Sequence, residues 1–354
     1  MTGRSLNMNE TALLADVGGT NTRIRVVQLA PDMLRSPRVI LNRAVRLSRK
    51  QSFLEYLGET TGALERPPSQ AVFCCAGPAT DGWVSMTNWE DVPDLHLKEL
   101  ADCGLPADRI VMVNDMEAAA ASVAAHHRKL AELDLITLAP GAGQQATRRR
   151  NSVILMPGTG TGVAGVLEDT LPGRPRHLVT VSCELQHTPI PDLDAEQAAI
   201  LAALRAEIPG GRPSWEDFIS GRGLERIYAC LGRQAAQGTG AVEVMSAAAI
   251  ANRALEAKDV LCRAALEIFY RCAGSLAQLL ALGFQAFGGV FLAGESTRQN
   301  LALIRESGFL RAFHDNPVRA DWLRIFPVYM TTADVNLAGA AMIAAEHAGL
   351  ADES

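Results

Sequence analysis

The sequence predicts an α/β protein of two domains, and three observations carry that prediction. The chain has 354 residues, which at about 150 residues per domain suits two. Strand-like apolar runs come first, and mixed strands and helices follow. A strand–glycine turn–strand unit occurs once in each half, at 12–27 and at 152–167.

The elements follow in order. Ala12–Asp16 and Thr22–Val27 read as strands on either side of the turn Val17–Asn21. Ala71–Ala76 is a short buried strand stopped by Gly77-Pro78. Arg109–Val113 is another, running through Asn114-Asp115 into the Ala-rich helix Met116–His126. Leu138–Arg150 reads as a loop. Ser152–Met156 and Val163–Leu167 flank the second turn, and helical patterns cover Ala195–Leu204 and Met245–Leu282. Gly289–Ala293 and Val328–Thr331 are strands, and Asn336–Ala348 is a helix.

Composition excludes several classes. Apolar residues are 48%, charged residues 20% and aromatics 5%, which is globular and not disordered or fibrous. With 33 basic and 39 acidic residues the net charge is −6, so no overall field gathers nucleic acid or anionic membrane. The seven cysteines include no CxxC pair and sit among apolar neighbours, so reduced thiols in the cytoplasm are expected. Met1–Glu10 is polar and shows no signal peptide. The most membrane-like stretch, Ala277–Gly294, is interrupted by Gln278, Gln285 and Gly288-Gly289, and reads as buried helix, tight turn and buried strand.

The chemistry concentrates at a few places. In Asp16-Val17-Gly18-Gly19-Thr20-Asn21 the glycines let backbone N–H groups approach a phosphate, and Thr20 and Asn21 add side-chain donors. Asp16 is placed to hold a water on Mg²⁺; a plain hairpin turn is the alternative. The pattern is neither a Rossmann fingerprint nor a P-loop. Gly158-Thr159-Gly160-Thr161-Gly162 alternates backbone donors with hydroxyls, and two such hairpins suit a clamped triphosphate. Asn114-Asp115 is either a helix cap or a general base at a domain cleft. Glu184 and His187 can face one way in a turn, and Glu216 follows; a surface acid, a loop histidine and a helix N-terminal acid are the plainer readings.

Taken together the chain resembles the bacterial glucokinases of the hexokinase/actin-like ATPase superfamily. The matching pieces are Leu14–Arg23, Met86-Thr87-Asn88-Trp89, Val113-Asn114-Asp115, Gly158–Gly162, Glu184 with His187, Ile219–Leu224 and Gly288–Gly294, in the family's order across nearly the whole chain. The resemblance implies a two-domain actin-like ATPase (ribonuclease H-like) fold with a cleft between a smaller and a larger domain. The smaller would be 1–124 plus about 330–350, and the larger 125–329. It implies ATP-dependent phosphorylation of glucose at the 6-hydroxyl, with ATP and Mg²⁺ and as a homodimer. Asp115 would be the base. Asn88, Asn114, Asp115, Glu184, His187 and Glu216 would bind the sugar. Asp16, Gly18, Gly19, Thr20, Asn21, Gly158, Thr159, Gly160, Thr161, Gly162, Gly289 and Gly294 would bind the nucleotide, with Asp16 reaching the metal through water.

Three features qualify the transfer. Leu185 and Gln186 stand where the family usually has Gly-Gly, and their side chains are expected to point away from the sugar. Glu295 stands in the nucleotide loop where the family has glycine, and would weaken ATP binding. After His187 the next cysteine is Cys230, alone, so the structural zinc of the related repressor/kinase (ROK) branch is not expected. A kinase for another hexose, or a non-catalytic sugar-binding protein, are the alternatives; Asp115 argues against the latter, since a binder has no need of a base.

Overall fold

Strand β1 (Thr11–Val17) is buried along six of its seven residues, as a strand covered on both faces must be. In the computed structural model, which describes residues 10–80, 82–87, 89–142, 150–169, 177–236, 243–256 and 259–351, it is the centre of a five-stranded sheet. Its neighbours are β2 (Asn21–Gln28), β3 (Val39–Arg46), β4 (Gln70–Cys75) and β8 (Ile110–Asn114), in the order β3-β2-β1-β4-β8. β1 pairs antiparallel with β2 and parallel with β4, and β4 pairs parallel with β8. Period-two alternation divides β1 between two cores. Leu13, Ala15 and Val17 face Phe53 and Leu57 of helix α1 (Lys50–Gly62). Ala12 and Leu14 face helices α3 (Asp115–His127) and α13 (Val335–His347) through Ala118, Leu337 and Ala340. A small sheet of β5 (Ala79–Thr80), β6 (Trp83–Ser85) and β7 (Asp94–His96), followed by α2 (Leu97–Asp102), completes this region.

The chain divides into two units, Met1–Leu133 with Asp169–Ser182 and Ala333–Ser354, and Asp134–Glu168 with Cys183–Thr332. The return of α13 to the first unit depends on close backbone approach. A Cβ on Gly339 would lie 1.7 Å from the Ala118 carbonyl oxygen of α3, so only glycine fits.

In the second unit, strands β9 (Leu135–Ala139), β10 (Ser152–Pro157), β11 (Thr161–Glu168), β13 (Gly289–Leu292) and β14 (Val328–Thr331) lie in the order β11-β10-β13-β14-β9. β12 (Leu178–Cys183), which belongs to the first unit up to Ser182, precedes the helical region in the chain. That region holds α4 (Ala195–Glu207), α5 (Glu216–Ile219), α6 (Gly221–Ala235), α7 (Ala247–Leu255) and α8 (Val260–Phe284). Four short helices, α9 (Glu295–Gln299), α10 (Leu301–Glu306), α11 (Phe309–His314) and α12 (Ala320–Leu323), lead to β14. The single helical pattern Met245–Leu282 is thus two helices. Asp259 restarts the chain as the cap of α8, accepting from the N–H groups of Leu261 and Cys262. Leu138 and Ala139 belong to β9 and not to a loop, while 143–149 lie outside the described residues. Helix α8, at 25 residues, is long and apolar enough to cross a membrane, but Leu266, Phe269, Leu276 and Leu280 are buried in the second unit's core. Ala277–Phe284 ends that helix, Gln285 turns the chain at φ 54°, and β13 follows.

Gly339→Ala should lower stability by about 1–3 kcal/mol, because the new methyl meets backbone on α3. Gly58→Ala in α1, where a Cβ would meet nothing within 4 Å, should raise it by about 0.5–1 kcal/mol. Urea melts of both test the α3–α13 packing; equal midpoints would refute it.

Candidate active site

Strand register brings two predicted groups to one edge of the first sheet. Val17 lies opposite Cys75, and Cys75 opposite Asn114. The first glycine turn and the β8–α3 junction therefore leave the sheet at the same end, about 10 Å apart at two strand spacings. The carboxyl edge of parallel strands is where open α/β sheets bind ligands. The turn is closed by Gly18 N donating to Asn21 O at 2.9 Å, and Gly19 follows at half exposure. Thr20 and Asn21 are exposed at its tip.

At the junction Asn114 is the cap of α3: its Oδ1 accepts from Met116 N at 2.9 Å and its Nδ2 donates to Gly77 O at 3.0 Å. Asp115 is the first residue of the helix, half-buried. Under this edge lie Cys74 and Cys75. Burial, with the negative charges of Asp16 and Asp115 added, pushes both thiols far up, so they stay neutral. Asn88 lies outside the described residues.

Asp16 is buried and held by three donors. It faces Arg23 directly across the β1–β2 ladder, and Arg23 Nε and Nη2 both reach Oδ2, the former at 3.1 Å. Asn336 Nδ2 donates to Oδ1 at 3.0 Å. Arg23 Nη1 also pairs with Asp334 at 2.7 Å. Burial raises the Asp334 carboxyl, with Arg23 pulling the other way. Arg23, Asp334 and Asn336 were not singled out from the sequence. Asp334 carried a signal, since it caps α13 at Leu337 N.

In the second unit the turn 158–160 joins β10 to β11. Gly158 N donates to Gly160 O at 2.7 Å, Gly221 N to Gly158 O at 2.8 Å, and Thr161 Oγ1 to Ile219 O at 3.0 Å. Glu216 belongs to this turn: Oε2 accepts from Thr161 N at 3.2 Å, and Oε1 pairs with Arg222 at 3.3 Å. The Glu216 carboxylate is thus bound to the glycine turn. Thr159 is exposed there, and Gly162 opens β11 opposite Met156.

Gly294 and Gly289 stand apart. Gly294, at φ 104°, follows the carboxyl end of β13, whose Leu292 is level with Leu155 of β10. Gly289 is at the amino end of that strand, level with Ser152 and away from the turn. A Cβ there would lie 2.9 Å from the Tyr329 ring. Its smallness serves packing against that ring. Glu295 is paired within its own turn to Arg298 and accepts from Gln299 at 2.9 Å, so its charge is offset.

Glu184 and His187 come together as expected, His187 Nε2 lying 3.3 Å from Glu184 Oε2. Their intervening side chains divide. Leu185 packs against the second unit's core. Gln186 is buried and turned toward Glu184, its Nε2 donating to Glu184 Oε2 at 2.6 Å. The adjoining segment is tied on by Trp215 N donating to Thr188 O at 3.2 Å. It is held by Asp217, which accepts from Ser214 N and Oγ at 2.8 Å each and pairs with Arg226. Burial pushes the Asp217 carboxyl up, but these bonds outweigh it and hold it below the usual carboxylate range. Among the described residues no three His, Cys, Asp or Glu side chains cluster to hold a metal.

Two α/β units, each with a glycine turn at the carboxyl edge of its sheet, define the actin-like ATPase fold, and solved structures agree. Glucokinase from an Antarctic psychrotroph is 24% identical with TM-score 0.73, over 95% of this chain and 99% of that one. Glucokinase from Balamuthia mandrillaris, solved with glucose, is 21% identical with TM-score 0.77, over 95% and 93%. A glucokinase from Mesorhizobium japonicum is 31% identical across 90% of this chain and 87% of its own. The sequence model of the Glucokinase family matches residues 13–347, and the chain belongs to that family.

The depressed Asp217 carboxyl gives a pH test. Its folded pKa lies below the unfolded one, so its stabilisation is present above the ordinary carboxylate range and lost as pH falls through the folded value. Asp217→Asn should be less stable than wild type at pH 7 by about 1–3 kcal/mol. Thermal melts of the two should converge below about pH 4; a gap undiminished in acid would refute the bonding described.

Proposed function

We propose that Asp115 and the two glycine turns are the working parts of this enzyme. As a member of the glucokinase family, the chain transfers the γ-phosphoryl group of ATP to the 6-hydroxyl of glucose, giving glucose 6-phosphate. In our reading Asp115 accepts the 6-hydroxyl proton as that oxygen attacks. Asn88, Asn114, Glu184 and His187 hydrogen-bond the remaining hydroxyls, which are costly to bury unpaired. Glu216 joins these sugar ligands, and its carboxylate also braces the second turn. Gly18–Asn21 and Gly158–Gly162 hold the phosphates through backbone N–H groups and hydroxyls, and Gly294 approaches the adenosine. The observation that carries this reading is the Val17–Cys75–Asn114 register, which sets Asp115 and a phosphate-type turn on one sheet edge. Phosphoryl transfer needs such positioning more than covalent help.

The nucleotide's Mg²⁺ fits this donor set only indirectly. A carboxylate offers about four lone-pair positions, and Arg23 and Asn336 fill three on Asp16. One remains, which suits an ion that keeps its waters and binds chiefly through phosphates. Asp16 would hold Mg²⁺ through a water, and the ion would neutralise phosphate charge. We place the enzyme in the cytoplasm, since all seven cysteines are free thiols, and, from the resemblance, as a homodimer.

Asp115→Asn should lower kcat by about 10²- to 10⁴-fold with glucose binding retained. A coupled assay with a glucose titration measures this; activity within about threefold of wild type, far under that range, would remove Asp115 as the base.

Gly160→Val should raise the KM for ATP by about tenfold, the scale of one lost contact. Its Cβ would meet the Glu216 carboxylate at 3.4 Å, an ordinary contact. A change confined to the glucose KM would mean that the turn serves the sugar.

A further inference from the structure

We propose that Gln186 is a positioning residue for the sugar site, setting the carboxylate of Glu184 in its binding orientation. The inference rests on the reading of Glu184 as a sugar ligand. β12 ends at Cys183, and a single turn of 3₁₀ helix, Leu185–His187, follows. Among the described residues the non-glycine positions with positive φ are Lys129 and Gln285, so this turn is built for residues that carry side chains. Leu185 enters the core, and that anchors the turn. Gln186 is 5% exposed, whereas the Glu184 side chain is 64% exposed. A glutamate so exposed samples many rotamers unless something holds it.

Gln186 holds it. Its Nε2 donates to Glu184 Oε2 at 2.6 Å, a short charge-assisted bond, and His187 Nε2 lies 3.3 Å from the same oxygen. With both nitrogens on Oε2, Oε1 is left to accept from a ligand hydroxyl. The amide orientation follows from chemistry: turned over, it would set a carbonyl against a carboxylate with no proton between them. The ordering cost of Glu184 is thereby met in the folded enzyme and not at each binding event.

A second observation separates this role from a merely structural one. Gln186 Oε1 is buried with no hydrogen-bond partner. Nearly all buried side-chain polar atoms in proteins have one. Methionine would fill the same space without leaving an orphaned acceptor. Stability therefore does not account for glutamine here, and its one hydrogen bond, to Glu184, does.

The experiment uses the full-length enzyme and three variants. Gln186→Met, which keeps the volume and removes the donor, should leave Tm unchanged or raised. Its glucose KM should rise about tenfold, the scale of a lost polar contact, with kcat and the ATP KM near wild type. A lowered Tm with an unchanged glucose KM would overturn the proposal and make Gln186 structural. Gln186→Glu sets a second carboxylate against Glu184, and close carboxylates share a proton at acid pH. The titratable groups on this turn are Glu184, His187 and Cys183. β11, packed on it, carries Glu168, which accepts from Arg150 N, and the adjoining segment carries Glu216, paired with Arg222, and Asp217, paired with Arg226. The glucose KM of Gln186→Glu, relative to wild type, should climb from acid to neutral pH; a flat ratio overturns the proposal. Glu184→Ala tests the reading beneath. If it leaves the glucose KM unchanged, Glu184 is no sugar ligand and the proposal falls with it. If it raises the KM while Gln186→Met does not, the positioning role alone is wrong.

Discussion

Parallel hydrogen bonding among β1, β4 and β8 is the constraint from which the first unit's chemistry follows. The ladder levels Val17 with Cys75 and Cys75 with Asn114. A one-residue slip would exchange the two faces of each strand, because side chains alternate with period two. Leu13, Ala15 and Val17 would then meet α3 and α13, and Ala12 and Leu14 would meet Phe53 and Leu57. Two differently filled cores exclude that slip. The register that packs both faces is the one that delivers the glycine turn and Asp115 to a common edge.

Asp16, Glu216 and Glu184 are each held by partners suited to their depth. Asp16 is buried, and Arg23 and Asn336 supply three hydrogen bonds to it. Glu216 is fastened by a backbone N–H and an arginine. Glu184 is largely exposed; Gln186, two residues on, donates to it, and the His187 imidazole lies beside the same oxygen. Charge left unpaired in a poorly solvated place is expensive, whereas exposed charge needs only orientation. The pairing of Arg23 with both Asp16 and Asp334 lets the amino end of α13 sit beside β1, so electrostatics and the Gly339 approach fasten the same returning helix.

Much of this was legible because it is local. Both glycine turns, the Asn114-Asp115 junction and the final helix are written in residues close in sequence, where turn and capping chemistry act. Less legible were β3, α1 and the break between α7 and α8. β3 carries exposed Val39 and Ile40 at a sheet edge, so its pattern is not that of a half-buried strand. The break needed Asp259 to be recognised as a cap within an apolar run. A glycine run such as Gly288-Gly289 shows that something approaches the backbone closely, without showing that the Tyr329 ring is one such neighbour.

Residue type, spacing and order were enough for the fold class and the family, and for both glycine turns and the Asn114-Asp115 junction. The tertiary structure alone decided which oxygen each donor takes. Asn336 meets Asp16 and Gln186 turns inward to Glu184, while Glu216 is drawn to the second turn. The physical reason is that hydrogen-bond partners are settled within about 3 Å, a scale on which burial and backbone direction decide. Sequence spacing constrains such directions only within a turn of helix or a strand pair, and Asp16 and Asn336 stand at nearly opposite ends of the chain.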